Sequence, residues 1–125
     1  MAVSTDSKFS HKAWMAVSRK KGGIEGCSHP IVGDFTKKIS SDYGVLEAGL
    51  GAAVRGTFLI DPDGVVQAIQ INNLPIGRNV EEVLRLLDAF QQNKEAGQVC
   101  PVNWKKGQEA ITPAKAAAWF EAHAK

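Results

Sequence analysis

The chain has 125 residues, 44% of them hydrophobic and 22% charged, with a formal net charge of +2. That is enough chain for one domain with a core and too little for two. So small a charge argues for neither nucleic acid nor a membrane surface as partner. No apolar run reaches the roughly 20 residues of a transmembrane helix, and the N-terminus lacks the charged and apolar regions of a signal peptide. Two separated cysteines outside any CxxC pair make no disulfide framework, so the expected compartment is a reducing cytoplasm.

In chain order, the apolar, partly β-branched stretch Met1–Thr5 reads as a strand. Asp6 or Ser7 can cap a helix by accepting a backbone N–H, and Phe9, Ala13, Trp14, Ala16 and Val17 follow at helical spacing. Gly22-Gly23 is expected to stop that helix. Arg19-Lys20-Lys21 would be its solvated end, where cations suit the dipole. His29–Gly33 is a second strand candidate, and Asp34 a second cap, for a helix with Ile39 and Tyr43 on one side and Gly44 at its end.

Gly56–Ile60 and Val65–Ile71 read as strands. Asp61-Pro62-Asp63-Gly64 between them is a turn, because proline presets its φ and glycine tolerates φ > 0, so the whole is a β-hairpin. Asn79 and Glu82 have capping-box spacing. They open a helix whose stripe is Val80, Val83, Leu84, Leu87 and Phe90, with Glu81 and Arg85 spaced to pair. Gly97 breaks it, Gln98–Ile111 reads as irregular, and Thr112-Pro113 starts a last helix as cap plus first-turn proline. The order of strands and helices is α/β, and by itself it specifies no particular α/β fold.

Several residues raise chemical questions. Cys100 lies in GQVCPVNWK (Gly97–Lys105), a segment bounded by glycine and proline that can move and stay accessible. Arg55 opens a strand read as buried, where a charge is costly without a task. Cys27 and His29 stand two apart in a loop; with no further ligand this is weak as a metal site, and Cys27 reads as structural. His11 and His123 also lack metal-like partners, so neither a metal nor a cofactor is expected. Trp14 and Phe90 read as core.

Five stretches together resemble one family: Val3–Trp14, Ile39–Leu46, Arg55–Asp61, Asn73–Gln91 and the VCPVNW run Val99–Trp104. In order and spacing they are similar to the typical 2-Cys peroxiredoxins, which destroy hydroperoxides with paired cysteine thiols. The resemblance implies a thioredoxin-like fold with a C-terminal arm, the core over residues 1–92 and the arm over 93–125. The family's peroxidatic cysteine stands in an upstream Pro-x-x-x-Thr-x-x-Cys motif that these residues do not contain. The expectation is therefore an N-terminally truncated fold, the C-terminal two-thirds of a peroxiredoxin.

Carried over residue by residue, the resemblance makes Arg55 the active-site arginine and Arg78 a second arginine near the site. Cys100 becomes the resolving thiol, which closes a disulfide with the peroxidatic cysteine of a partner subunit. The implied substrates are hydrogen peroxide and alkyl hydroperoxides, and the implied reductant is thioredoxin or a similar dithiol protein. The implied assembly is a homodimer or a higher oligomer of dimers. Gly22–Gly26 resembles the glycine loop of peroxide-sensitive members with one extra residue, and Trp119-Phe120 resembles their aromatic pair. A competing reading makes the chain a catalytically inactive module that docks to full-length subunits. In either case apolar sheet faces should stand exposed, with low stability or association as the consequence.

Overall fold

The computed structural model describes residues 1–124, which fall into two compact units. One comprises Met1–Thr57 and Gln70–Gly77; the other comprises Phe58–Ile69 and the residues from Arg78 onward.

The first unit opens with strand β1 (Ala2–Ser4), helix α1 (Lys8–Met15), a 3-10 turn (Arg19–Lys21) and strand β2 (Ile31–Gly33). β1 and β2 pair in parallel, with Ala2 opposite Ile31 and Ser4 opposite Gly33. The crossover through α1 makes a βαβ unit, as parallel pairing requires. Ser7 caps α1 by accepting the Ser10 N–H at 3.2 Å. β2 runs close to this cap: a Cβ on Gly33 would stand 3.1 Å from both the Asp6 carbonyl and the Lys8 nitrogen.

α1 ends earlier than the glycines suggest. It stops at Met15, and the loop beyond folds back onto its last carbonyls. Ile24 N–H donates to the Trp14 carbonyl at 3.3 Å, and Glu25 N–H donates to the Val17 carbonyl at 3.2 Å. The Trp14 indole N–H donates to the Gly22 carbonyl at 2.8 Å. A Cβ on Gly23 would lie 1.9 Å from the Val17 oxygen, so glycine is required there for backbone approach rather than as a cap of α1.

Helix α2 (Lys38–Asp42) is capped from a distance. Its N-cap position is Lys37, in left-handed conformation with φ 62°. The capping carboxylate is that of Asp34, which accepts Ile39 N–H at 3.1 Å, Ser40 N–H at 2.7 Å and the Ser40 hydroxyl at 2.8 Å. Burial alone would raise the Asp34 pKa, but the bonds from Ser40 and Ile39 outweigh it and hold the carboxyl below its ordinary value. A short antiparallel ladder follows, β3 (Leu46–Glu47) against β4 (Ala52–Ala53).

Strands β5 (Arg55–Ile60) and β6 (Val66–Asn72) form the expected hairpin. Its tip belongs to the second unit. There Asp61 accepts the Asp63 and Val65 N–H groups, each at 2.9 Å, and the Gln67 amide at 2.8 Å.

The second unit continues with α3 (Val80–Ala96) and ends with a 3-10 turn (Pro113–Lys115) and α4 (Ala116–His123). Asn79 caps α3 by accepting Glu82 N–H at 3.1 Å, and Gly97 ends it in left-handed conformation with φ 63°. Thr112 does not cap the last helix with its side chain; its hydroxyl accepts from the Gln98 amide at 3.4 Å.

Few apolar side chains are fully covered. Among the described residues the buried ones are Val45, Trp104, Ala110 and Ile111. Phe9, Phe35 and Leu50 are about two-thirds or more exposed, at 73%, 73% and 68%. No helix among the described residues is long and apolar enough to cross a membrane.

Candidate functional site

The Cys100 segment is more ordered than its composition suggests. After Gly97 the chain turns, and Val99 and Ile111 exchange both backbone hydrogen bonds at 2.8 Å, forming an isolated antiparallel bridge. Gln98 is held to α3 twice: its carbonyl accepts from the Asn93 amide at 2.8 Å, and its side chain from Gln92 at 2.6 Å. Trp104 is 2% exposed and anchors the far side of the loop. Its indole N–H donates to the Gln108 carbonyl at 3.0 Å, and its backbone N–H donates to the Pro101 carbonyl at 3.1 Å.

Cys100 is accordingly half-buried, and its thiol points at the Ala89 carbonyl on α3 at 3.7 Å. The sequence predicts mobility and access; the structure docks the thiol against a helix. Burial pushes the Cys100 thiol above its ordinary pKa, and the nearby Arg85 charge pulls it down without overcoming burial. The docked sulfur is therefore held as a thiol, which is the poor nucleophile of the two forms.

Arg85 is the residue that the sequence misassigns. The spacing predicts pairing with Glu81. In the structure its guanidinium grips Glu82 as a fork, Nε to Oε2 at 2.6 Å and Nη2 to Oε1 at 2.8 Å. Its Nη1 donates to the Trp104 carbonyl at 3.2 Å. Arg85's hydrogen bonds hold Glu82 below the ordinary carboxylate value, and Glu82 in turn raises Arg85. Both Glu82 carboxylate oxygens are thus taken by the Arg85 fork. The signal for its true partner was present as i,i+3 spacing, but the link to Trp104 spans 19 residues and leaves no local trace.

Arg55 and Arg78 are both exposed. Arg55 opens β5 not as a buried charge but as a surface side chain, its Nε donating to the Leu74 carbonyl at 3.2 Å. Arg78 directly precedes the Asn79 cap. Arg55 belongs to the first unit and Arg78 and Cys100 to the second.

Cys27 is half-buried, and its sulfur lies 3.5 and 3.6 Å from the two ring nitrogens of His29. Near-equal distances to both nitrogens describe contact with the ring rather than a bond aimed along one lone pair. Among the described residues, no group of three or more His, Cys, Asp or Glu could hold a metal ion. His11 is 4% exposed, and neither of its ring nitrogens has a hydrogen-bond partner among the described residues. Arg19 braces the Gly22–Gly26 loop by donating to the Glu25 carbonyl at 2.9 Å. Trp119 meets Phe120 edge to face at 5.3 Å and stacks on His123 at 4.3 Å. A surface depression of about 540 Å³ is lined by Ser7, Lys8, Phe9, Gly33 and Phe35, none of them a sequence-predicted site residue.

Comparison with known proteins identifies the family. Residues 1–69 match the AhpC/TSA family, and residues 89–118 match the C-terminal domain of 1-Cys peroxiredoxin. A thioredoxin peroxidase of Echinococcus granulosus is 52% identical over 113 residues, covering 90% of this chain and 58% of the relative. The mitochondrial thioredoxin-dependent peroxide reductase of Homo sapiens is 50% identical over 117 residues, covering 94% and 46%. The reduced 2-Cys peroxiredoxin of Plasmodium vivax superposes with a TM-score of 0.88 at 42% identity, over 96% of this chain and 62% of that one. The chain belongs to the AhpC/TSA family of peroxiredoxins and has their thioredoxin-like α/β fold. It spans 44% to 63% of the length of the curated relatives compared with it.

Proposed function

We propose that this chain serves a thiol peroxidase that reduces hydrogen peroxide and alkyl hydroperoxides, contributing the resolving thiol Cys100 and the active-site arginines Arg55 and Arg78. The carrying observation is the docked VCPVNW segment, in a chain whose relatives are named for thioredoxin-dependent peroxide reduction. In this reading residues 1–92 are the core and 93–125 the arm.

The chemistry proceeds in three steps. A peroxidatic thiolate, supplied from outside these residues, attacks the peroxide; the O–O bond breaks, and a sulfenic acid and an alcohol or water result. Arg55 is suited to this step because its charge is permanent and its planar fork can hold thiolate and peroxide oxygens together. Cys100 then loses its proton and attacks the sulfenic sulfur; the S–S bond forms, the S–O bond breaks, and the hydroxide takes up a proton as water. Finally a thioredoxin-like dithiol reduces the disulfide by exchange.

The test is mixed-disulfide trapping. The chain is mixed with a full-length 2-Cys peroxiredoxin whose own resolving cysteine is replaced by serine, and hydrogen peroxide is added. A thioredoxin-reducible disulfide between the two should form with wild type and Cys27→Ser and be absent with Cys100→Ser. Peroxide turnover by the chain alone that disappears in Cys27→Ser would overturn the assignment and make Cys27 the attacking thiol.

A further inference from the structure

The face of α3 that carries Arg85 and Ala89 holds both ends of one short turn. Residues 85 and 89 are four apart and therefore on the same side of the helix. The Ala89 carbonyl receives the Cys100 thiol at 3.7 Å, and Arg85 Nη1 grips the Trp104 carbonyl at 3.2 Å. The same guanidinium is fixed by its two bonds to Glu82, so it has little rotameric freedom. The charged residues carried by these two elements around the contact are Glu82, Arg85 and Asp88 on α3 and Lys105 and Lys106 on the segment. Asp88 is engaged by Lys106 at 3.0 Å, and Glu82 by Arg85.

The carbonyl and the guanidinium act on Cys100 with opposite preferences. A thiol can donate to the Ala89 oxygen, but a thiolate cannot, and it would face that oxygen's negative end. A fixed cation beside it favours the thiolate. We propose that Arg85 is a positioning residue for exchange at Cys100: it pins the docked turn through the Trp104 carbonyl while its charge favours the thiolate, and Glu82 sets how much of that charge Cys100 feels. This rests on the reading of Cys100 as the exchanging thiol. It makes the hold on the segment and the readiness of its sulfur two effects of one side chain.

The experiment uses the Cys27→Ser chain, in which Cys100 is the only thiol, and follows iodoacetamide alkylation by intact mass as a function of pH. Arg85→Gln removes the cation and should move the midpoint of the profile to higher pH. Arg85→Lys keeps a charge and should restore the midpoint toward the parent. Glu82→Gln leaves Arg85 uncompensated and should move the midpoint to lower pH. A purely structural role predicts otherwise, because both glutamine variants break the same fork and would loosen the segment alike. Shifts of the same sign, or no shift in either, overturn the proposal. If Arg85→Gln does not fold, Arg85→Lys and Glu82→Gln still decide: the midpoint should stay near the parent in the first and fall in the second, whereas loosening of the segment alone would move both alike. The alkylation profile needs no peroxide and no partner, so failure of disulfide trapping with intact profile shifts would sink the resolving role and leave the electrostatic one standing.

Discussion

Replacing Trp104 by alanine should free Cys100 without unfolding the helix it rests on. Trp104 is 2% exposed, and its indole N–H donates to the Gln108 carbonyl at 3.0 Å. Emptying a buried tryptophan site costs about 3–5 kcal/mol, and the orphaned carbonyl adds about 1 kcal/mol. Most of this loss should fall on the loop closed by Val99 and Ile111, because α3 keeps its own Asn79 and Gly97 caps. A loss of about 3 kcal/mol raises the open fraction of the loop about 100-fold, at tenfold per 1.4 kcal/mol. Iodoacetamide labelling of Cys100 in the Cys27→Ser background should accelerate by that order. Trp104→Phe retains most of the buried ring and loses the donor, so about 1 kcal/mol and about a fivefold acceleration are expected. Hydrogen exchange of the α3 amides reports whether the helix stays folded. Acceleration under threefold in Trp104→Ala with α3 protected would refute the assignment of Trp104 as the loop's anchor.

Two further predictions follow from the backbone and the carboxylates. Gly97→Ala places a side chain at φ 63°, with no atom within 4 Å of the added methyl, so its cost is conformational alone. About 1 kcal/mol of destabilisation is expected, read as a lowered urea midpoint, and no change would mean that α3 does not end as described. For acid, the relevant groups are Asp34, Asp61 and Glu82, each held below its ordinary value of 3.8, 3.8 or 4.5. Bonds from Ser40 and Ile39 overcome burial at Asp34, the Val65 N–H leads at Asp61, and Arg85 leads at Glu82. Groups depressed in the folded state contribute stability that is complete above the unfolded pKa and is lost as pH falls through the folded one. Circular dichroism should therefore show stability constant down to about pH 5 and falling below it. Asp34→Asn should flatten part of that fall, and an unaltered acid limb in that variant would contradict the capping role.

What could be read from the sequence was local. β1, the β5–β6 hairpin and α3 were legible because each carries its own pattern and its own stop signal, as in the Asp61–Gly64 turn and the Asn79 and Gly97 ends of α3. Asp34 was legible as a cap in kind but not in reach: its carboxylate bonds Ile39 and Ser40, five and six residues on, across a left-handed Lys37. α1 was read too long because its end is set by Gly22–Glu25 folding back on it, a contact that periodicity does not encode. The β3–β4 ladder pairs only Leu46–Glu47 with Ala52–Ala53, too short to show alternation. At the candidate site, Cys100 announced itself through its neighbours in the chain. Its docking on Ala89 and the hold of Arg85 on the same segment did not, because these contacts span 11 and 19 residues and form only in the folded state.

The Val99–Ile111 bridge also sets how far the sulfur can travel. Cys100 is one residue beyond the bridge, and consecutive Cα atoms are about 3.8 Å apart whatever the loop does. With the bridge closed, even a fully opened loop leaves the Cys100 backbone at the sheet-like anchor, while Trp104 is free to swing. A partner sulfur must then come to the anchor. With the bridge broken, the pivot moves back to Gln98, which its own bonds still hold to α3, and two residues of extended chain give Cys100 a radius of about 7 Å. Two backbone hydrogen bonds thus separate a thiol that waits from one that reaches.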